Sequence, residues 1–202
     1  SVPPEVEKFF MGQIAMEENP RKALEYFEEA ALLGFALART FYAYVVLWVL
    51  RDDSLYHKAC EIMDGAENQN YVNDFCMALR LDGGIGAEPD LRRAYQLYTN
   101  LRPYNGDYQW PLQDLVDSLV IRLADGGAMD FMGQALRFFS SGEITPTQYF
   151  QYLRHLVDSA DGQGYAYSLA VCYRDGVGVM PDPSKARHYF EIYDKWHLGQ
   201  IR

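Results

Sequence analysis

His57, Cys60 and Glu61 have the residue types and the spacing of a metal site, because residues three and four apart share one face of a helix. A soft-metal site needs a further convergent ligand, and no neighbouring motif supplies one. The triplet therefore reads as a solvated or half-buried helix face. His188 and Glu191, also three apart, read as a surface pair. The glycine loops Gly83-Gly84-Ile85-Gly86 and Gly176-Val177-Gly178 have the composition of phosphate cradles. A dinucleotide loop needs a strand before it, and a P-loop ends in Lys followed by Ser or Thr. Neither context is present, so both loops read as turns. There is no Gly-x-Ser-x-Gly elbow, no His-Glu-x-x-His and no Cys–His signature. No catalytic residue, cofactor or metal site is expected, and the chain reads as non-enzymatic.

The composition narrows the elements that these residues can sit on. With 202 residues, 49% hydrophobic and 15% aromatic, the chain buries an ample core as a single domain spanning 1–202. Eighteen basic against 28 acidic residues give a net charge of −10, which disfavours nucleic acid and anionic membranes and favours a partner with a basic surface. The longest apolar run, Val45 to Leu50, is far short of the roughly 20 residues of a membrane span, so no membrane insertion is expected. The chain begins with Ser1 and not Met, which leaves room for a removed leader. The compartment is open between cytoplasm and periplasm. Three cysteines are poor material for a disulfide framework. Cys60, Cys76 and Cys172 are expected as free thiols without a structural role, no two of them on facing turns of one helical pair.

Apolar periodicity predicts helices from end to end. The first runs from Pro4 to Met16, and Asn19-Pro20 caps the next, whose stripe is Ala23, Tyr26, Phe27, Ala30 and Ala31. Gly34 closes it. One long helix is expected from Phe35 to Leu50, and Asp53 or Ser54 should cap its partner, which carries Ala59, Ile62, Met63 and Ala66. A helical pair covers Tyr71 to Leu101. Pro103, Asn105 and Gly106 form a loop, and Pro111 starts a helix with Leu112, Leu115, Val116, Leu119 and Leu123. Another spans Ala128 to Phe139, and Thr145-Pro146-Thr147-Gln148 is a capping box launching Tyr149 to Val157. The last pair is Tyr165 to Tyr173 and the helix after Asp182-Pro183, with Ala186, Tyr189, Phe190 and Tyr193 as its stripe. Eleven helices result, so either the helix from Pro111 is an extra packing element or one pair is wrongly divided.

A shift of 92 residues lays Gly176, Gly178, Pro181, Asp182, Lys185, Ala186 and Phe190 on Gly84, Gly86, Pro89, Asp90, Arg93, Ala94 and Tyr98. A loop and a helix start reproduced at fixed offsets are the mark of a repeat array. The pattern, leucine followed by alanine or glycine, a tyrosine, G-x-G-[VA], a capping Asp and [KR]-A with an aromatic four residues on, resembles the Sel-one-like repeat, a relative of the tetratricopeptide repeat. The match is close around 73–101 and 165–198. The fold expected is all-α: a right-handed α-α superhelix, or solenoid, of about five helical hairpins.

The resemblance also implies a working surface. In the family the first helix of each pair lines the concave face, at positions two before the leucine and two and five after it. Carried onto Leu169, Met77, Met132 and the pair placed by Ala59, the partner-binding candidates are Tyr167 and Arg174, Phe75, the α-helical trio Asp130, Gln134 and Arg137, and Tyr44, Trp48 and Arg51. The groove aromatics are expected to be partly exposed, whereas Leu169, Tyr173, Ala186 and Phe190 are expected in the core. The implied function is a protein-interaction module, a scaffold or adaptor taking a protein or peptide on that face. Two other readings stand beside it: an inhibitor or immunity protein neutralising a secreted bacterial toxin, which acidity would suit, and a hydrolase, as suggested for some cysteine-rich relatives.

Overall fold

A computed structural model of the chain describes residues 1–64, 71–84, 87–101 and 112–201. Among them are eleven α-helices and no strand. They are α1 (Pro4–Ala15), α2 (Pro20–Leu32), α3 (Ala36–Tyr44), α4 (Tyr56–Met63), α5 (Tyr71–Gly83), α6 (Leu91–Asn100), α7 (Leu112–Asp125), α8 (Met129–Ala135), α9 (Pro146–Val157), α10 (Ala166–Asp175) and α11 (Pro183–Ile201). The loop expected at Pro103, Asn105 and Gly106, the start at Pro111, and Ala66, Ile85 and Gly86 lie outside the described residues.

Five antiparallel pairs form: α1 with α2, α3 with α4, α5 with α6, α8 with α9, and α10 with α11. Helix α7 is the odd one between the third pair and the fourth. The chain divides into two compact units, Ser1–Val116 and Asp117–Arg202. In the first, α2 packs on α3 and α4 on α5; in the second, α9 packs on α10, so that neighbouring pairs stack and each buries its apolar stripe against the next.

The repeat register is visible in the caps. The backbone N–H of Lys22 donates to Asn19 Oδ1 at 3.1 Å, that of Arg93 to Asp90 Oδ1 at 3.0 Å and that of Lys185 to Asp182 Oδ1 at 3.0 Å, at the start of the second helix of three different pairs. Each side chain satisfies a donor that the helix start leaves open. The register shows again where the two helices of a pair cross. Phe27, at 0% exposure, lies so close to Gly12 that an added Cβ would meet its ring at 2.5 Å. Ala78 and Ala170 hold the same place in the third and the last pair, and both are fully buried.

Three boundaries differ from expectation. The helix from Phe35 is α-helical only to Tyr44; Val45–Leu50 continues as a π-helical turn and ends at Arg51, which is left-handed at φ 55°. Such single π turns widen a helix locally. Asp52, not Asp53 or Ser54, caps the following turn, taking the Ser54 N–H at 3.1 Å. The stretch expected as one helix to Phe139 is α8 followed by a 3-10 turn, Leu136–Phe138. The capping box forms in full: Gln148 N–H donates to Thr145 Oγ1 at 3.1 Å, and Thr145 N–H donates to Gln148 Oε1 at 2.8 Å.

Candidate functional site

The residues with apparent chemistry are held apart by the helices that carry them. His57 Nε2 and Glu61 Oε1 pair at 2.9 Å on the surface of α4, while Cys60 points into the core at 0% exposure. Among the described residues no group of three or more His, Cys, Asp or Glu could hold a metal ion. Gly176 is the left-handed exit of α10 at φ 74°. Gly178, at φ 69°, lies against the first turn of α9, where an added Cβ would fall 2.1 Å from the Pro146 carbonyl oxygen. The glycines of this loop thus serve a turn and a close backbone approach.

Two of the cysteines do have a structural place. Cys60 Sγ lies 3.5 Å from the Cys76 carbonyl oxygen where α4 meets α5, and both residues are buried. All three thiols are free. The hydrogen bond with the Cys76 thiol, and then the nearby Arg80 guanidinium, hold Cys60 below the ordinary thiol value, whereas Cys76 is raised. Burial pushes Cys172 up to about 11, which keeps it protonated and unreactive.

The nine partner-binding candidates divide by unit. In the first unit Tyr44, half-buried, stacks on Trp48 at 6.1 Å, and Trp48 meets Phe75 edge-on at 5.0 Å. Sequence phase brings these three together, with Trp48 and Phe75 as core. Trp48 is 8% exposed and Phe75 only 1%, against the expectation that both line an open groove. The reason is the stacking of pairs: Phe75 also packs on Tyr98 at 5.8 Å, so its position is an interior contact between helices. Arg51 folds back, its Nε donating to the Trp48 carbonyl at 3.3 Å. Tyr44 alone of the aromatic trio borders open space, a depression of about 300 Å³ with Thr40, Phe41 and Val72.

In the second unit the candidates are exposed. Asp130 and Gln134 stand on α8, and Arg137 just beyond it pairs with Asp117 at 3.3 Å and covers the Phe138 ring at 4.7 Å. Tyr167 is 49% exposed, with the rings of Phe190 and Tyr193 both 5.3 Å away. Arg174 pairs with Asp175 at 2.9 Å and lies 5.9 Å from the Phe190 ring centre. Phe190 is only half-buried, although it was expected in the core; Leu169, Tyr173 and Ala186 are buried as expected.

Sequence reasoning passed over one feature. A cleft of about 440 Å³ opens within the second unit between the end of α7, α8 and α9. Met129 and Met132 line it together with Gln151 and His155. Asp125 sits at its edge, taking hydrogen bonds from Gln148 Nε2 at 3.0 Å and from the Tyr152 hydroxyl. Burial first, and then Asp125, raise the Tyr152 pKa above its ordinary value, so the phenol stays a donor. The signal was present in the sequence, since Gln148, Gln151, Tyr152 and His155 recur at helical spacing on α9; what was not visible is that α7 ends beside them.

No helix among the described residues is long and apolar enough to cross a membrane. A search of curated proteins finds no match. Among solved structures the chain is similar to a protective antigen of uropathogenic Escherichia coli strains displaying an SLR fold, at 18% identity and TM-score 0.36 over 95% of this chain and 46% of that one. It is also similar to a Sel1 repeat protein from Oxalobacter formigenes, at 12% identity and TM-score 0.35 over 94% of this chain and 61% of that one. The chain thus spans less than two thirds of either of these proteins. A family model, the Sel1 repeat, matches residues 9–35, 77–99 and 165–192, which are the pairs α1–α2, α5–α6 and α10–α11. The chain therefore carries Sel1 repeats, at its first, third and last helical hairpins.

Proposed function

We propose that the chain is a protein-interaction module without catalysis of its own, and that its second unit takes a segment of a protein partner at the α7–α8–α9 cleft and the exposed side of α8. The cleft carries this reading. Methionine is a conformationally adaptable floor for an apolar side chain, and an Asp125 carboxylate oriented by two donors retains acceptor capacity for a Lys or Arg of the partner. Asp130 and Gln134 are exposed on α8. The net charge of −10 favours approach of a basic segment.

The test is selection of binding peptides from a displayed random library against the full chain, followed by calorimetry on the best of them. The expected peptides carry Lys or Arg beside an apolar residue, and His155→Ala or Gln151→Ala weakens them by roughly tenfold, about 1.4 kcal/mol. Peptides bound equally well by both variants would refute the reading.

A further inference from the structure

Asp125, the last residue of α7, is exposed, and two side chains of α9 hold its carboxylate. Gln148 Nε2 lies 3.0 Å from Oδ2 and 3.2 Å from Oδ1, and the Tyr152 hydroxyl donates to Oδ1. The other end of the Gln148 amide fixes its orientation. Gln148 Oε1 accepts the Thr145 N–H at 2.8 Å in the capping box, so the nitrogen is the atom turned towards Asp125. The cap that starts α9 thereby sets the hydrogen bonding of the cleft.

A nitrogen nearly equidistant from the two oxygens of a carboxylate occupies the mouth between them. An arginine fork needs that same place to make two parallel bonds, one to each oxygen. An ionised carboxylate has about four acceptor positions. Gln148 and Tyr152 take both sides of Oδ1 and one side of Oδ2, which leaves the outer side of Oδ2. A single donor fits there, and a fork does not. The rest of the cleft acts on the stem behind that donor. Met132, 3% exposed, and Met129, 39% exposed, give apolar surface within the same cleft of about 440 Å³. A side chain with a long apolar stem and a compact charged head can lay the stem on methionine and keep the head at the carboxylate. Gln151, three residues beyond Gln148, lines the cleft as well and adds an amide oxygen that can accept a second N–H of the head.

We propose that the cleft is selective for lysine: it takes an unmodified lysine of the partner segment, with the ammonium on Asp125 Oδ2 and the butyl stem over Met129 and Met132, and it discriminates against arginine because Gln148 fills the mouth of the carboxylate. This rests on the cleft reading above and narrows its occupant. The ammonium is a compact charge with three donors, any one of which can use the open position, whereas a guanidinium there forfeits one of its paired bonds. Acetylation of the lysine removes the charge and leaves one N–H, so it releases the partner.

Calorimetry on the full chain tests it, with the best peptide of the displayed library synthesised in three forms that carry lysine, arginine or Nε-acetyl-lysine at the basic position. The lysine form should bind roughly tenfold more tightly than either of the others. In Gln148→Ala, checked for unchanged helicity by circular dichroism, the arginine form should come within about twofold of the lysine form, because the mouth of Asp125 is then open. Lysine and arginine forms that bind the wild-type chain alike, while His155→Ala still weakens both, overturn the lysine selectivity and leave the cleft reading standing. A lysine preference that persists undiminished in Gln148→Ala also overturns it, since the filled mouth would then not be what excludes arginine. Peptides that bind His155→Ala and Gln151→Ala as well as wild type refute the cleft reading and the selectivity with it.

Discussion

At the scale of single residues, burial separates side chains that share a repeat position. Phe75 fills space between Trp48 and Tyr98, so Phe75→Ala should cost about 3–5 kcal/mol in urea denaturation, from lost transfer energy and the cavity left behind. Gln134→Ala, on the open side of α8, should stay within about 0.5 kcal/mol. Equal effects would show that Phe75 is not core. Tyr56 offers a titration test. Burial pushes its hydroxyl up to about 12, so the neutral phenol is favoured in the folded chain. The corresponding stabilisation is complete below the ordinary value near 10 and is lost as pH rises from there towards 12. The urea midpoint should therefore fall across that interval, and Tyr56→Phe should flatten the fall; an unchanged slope in the variant would place the ionisation elsewhere.

At the scale of helices, caps and crossings are the points where a small change acts on a whole hairpin. The reciprocal Thr145–Gln148 bonds start α9, whose Phe150 and Leu153 pack in the core with Leu169 and Tyr173. Thr145→Ala should cost about 1 kcal/mol, measured as a shift of the denaturation midpoint at constant slope. Ala94 and Ala186, on the second helices of their pairs, are buried at 0% and 4% exposure. Leucine at either site should cost roughly 1–3 kcal/mol from overpacking. A neutral result would mean that the repeat register is displaced by a residue.

At the scale of the whole chain, charge governs encounter more than contact does. With −10 over 202 residues, a basic peptide should associate fastest at low ionic strength. Its association rate should fall as the Debye length shrinks from about 10 Å at 0.1 M salt to about 3 Å at 1 M, with the dissociation rate little changed. Stopped-flow fluorescence separates the two, and a salt effect lying wholly in dissociation would deny the steering.

The amino-acid sequence by itself determined where the helices lie and left only the place of the helix at 112–125 among the pairs open, because periodicity, caps and glycine exits are local: Asn19, Asp90 and Asp182 each bond a backbone donor three residues ahead, and no distant element is needed to see it. It also determined the repeat, since the cap, the alanine and the aromatic recur at fixed offsets in the hairpins that the Sel1 model matches. Tertiary structure decided which face of each first helix is open. Phe75 and Tyr167 carry the same local signals, yet one is 1% and the other 49% exposed. Helical phase states only that two side chains point the same way; whether that direction ends in solvent depends on which neighbouring hairpin lies there. The same reason hid the cleft of the second unit, whose α9 residues were legible as a stripe but whose wall is the end of α7. It also hid the meeting of Cys60 and Cys76, which face each other only because α4 of one hairpin packs on α5 of the next.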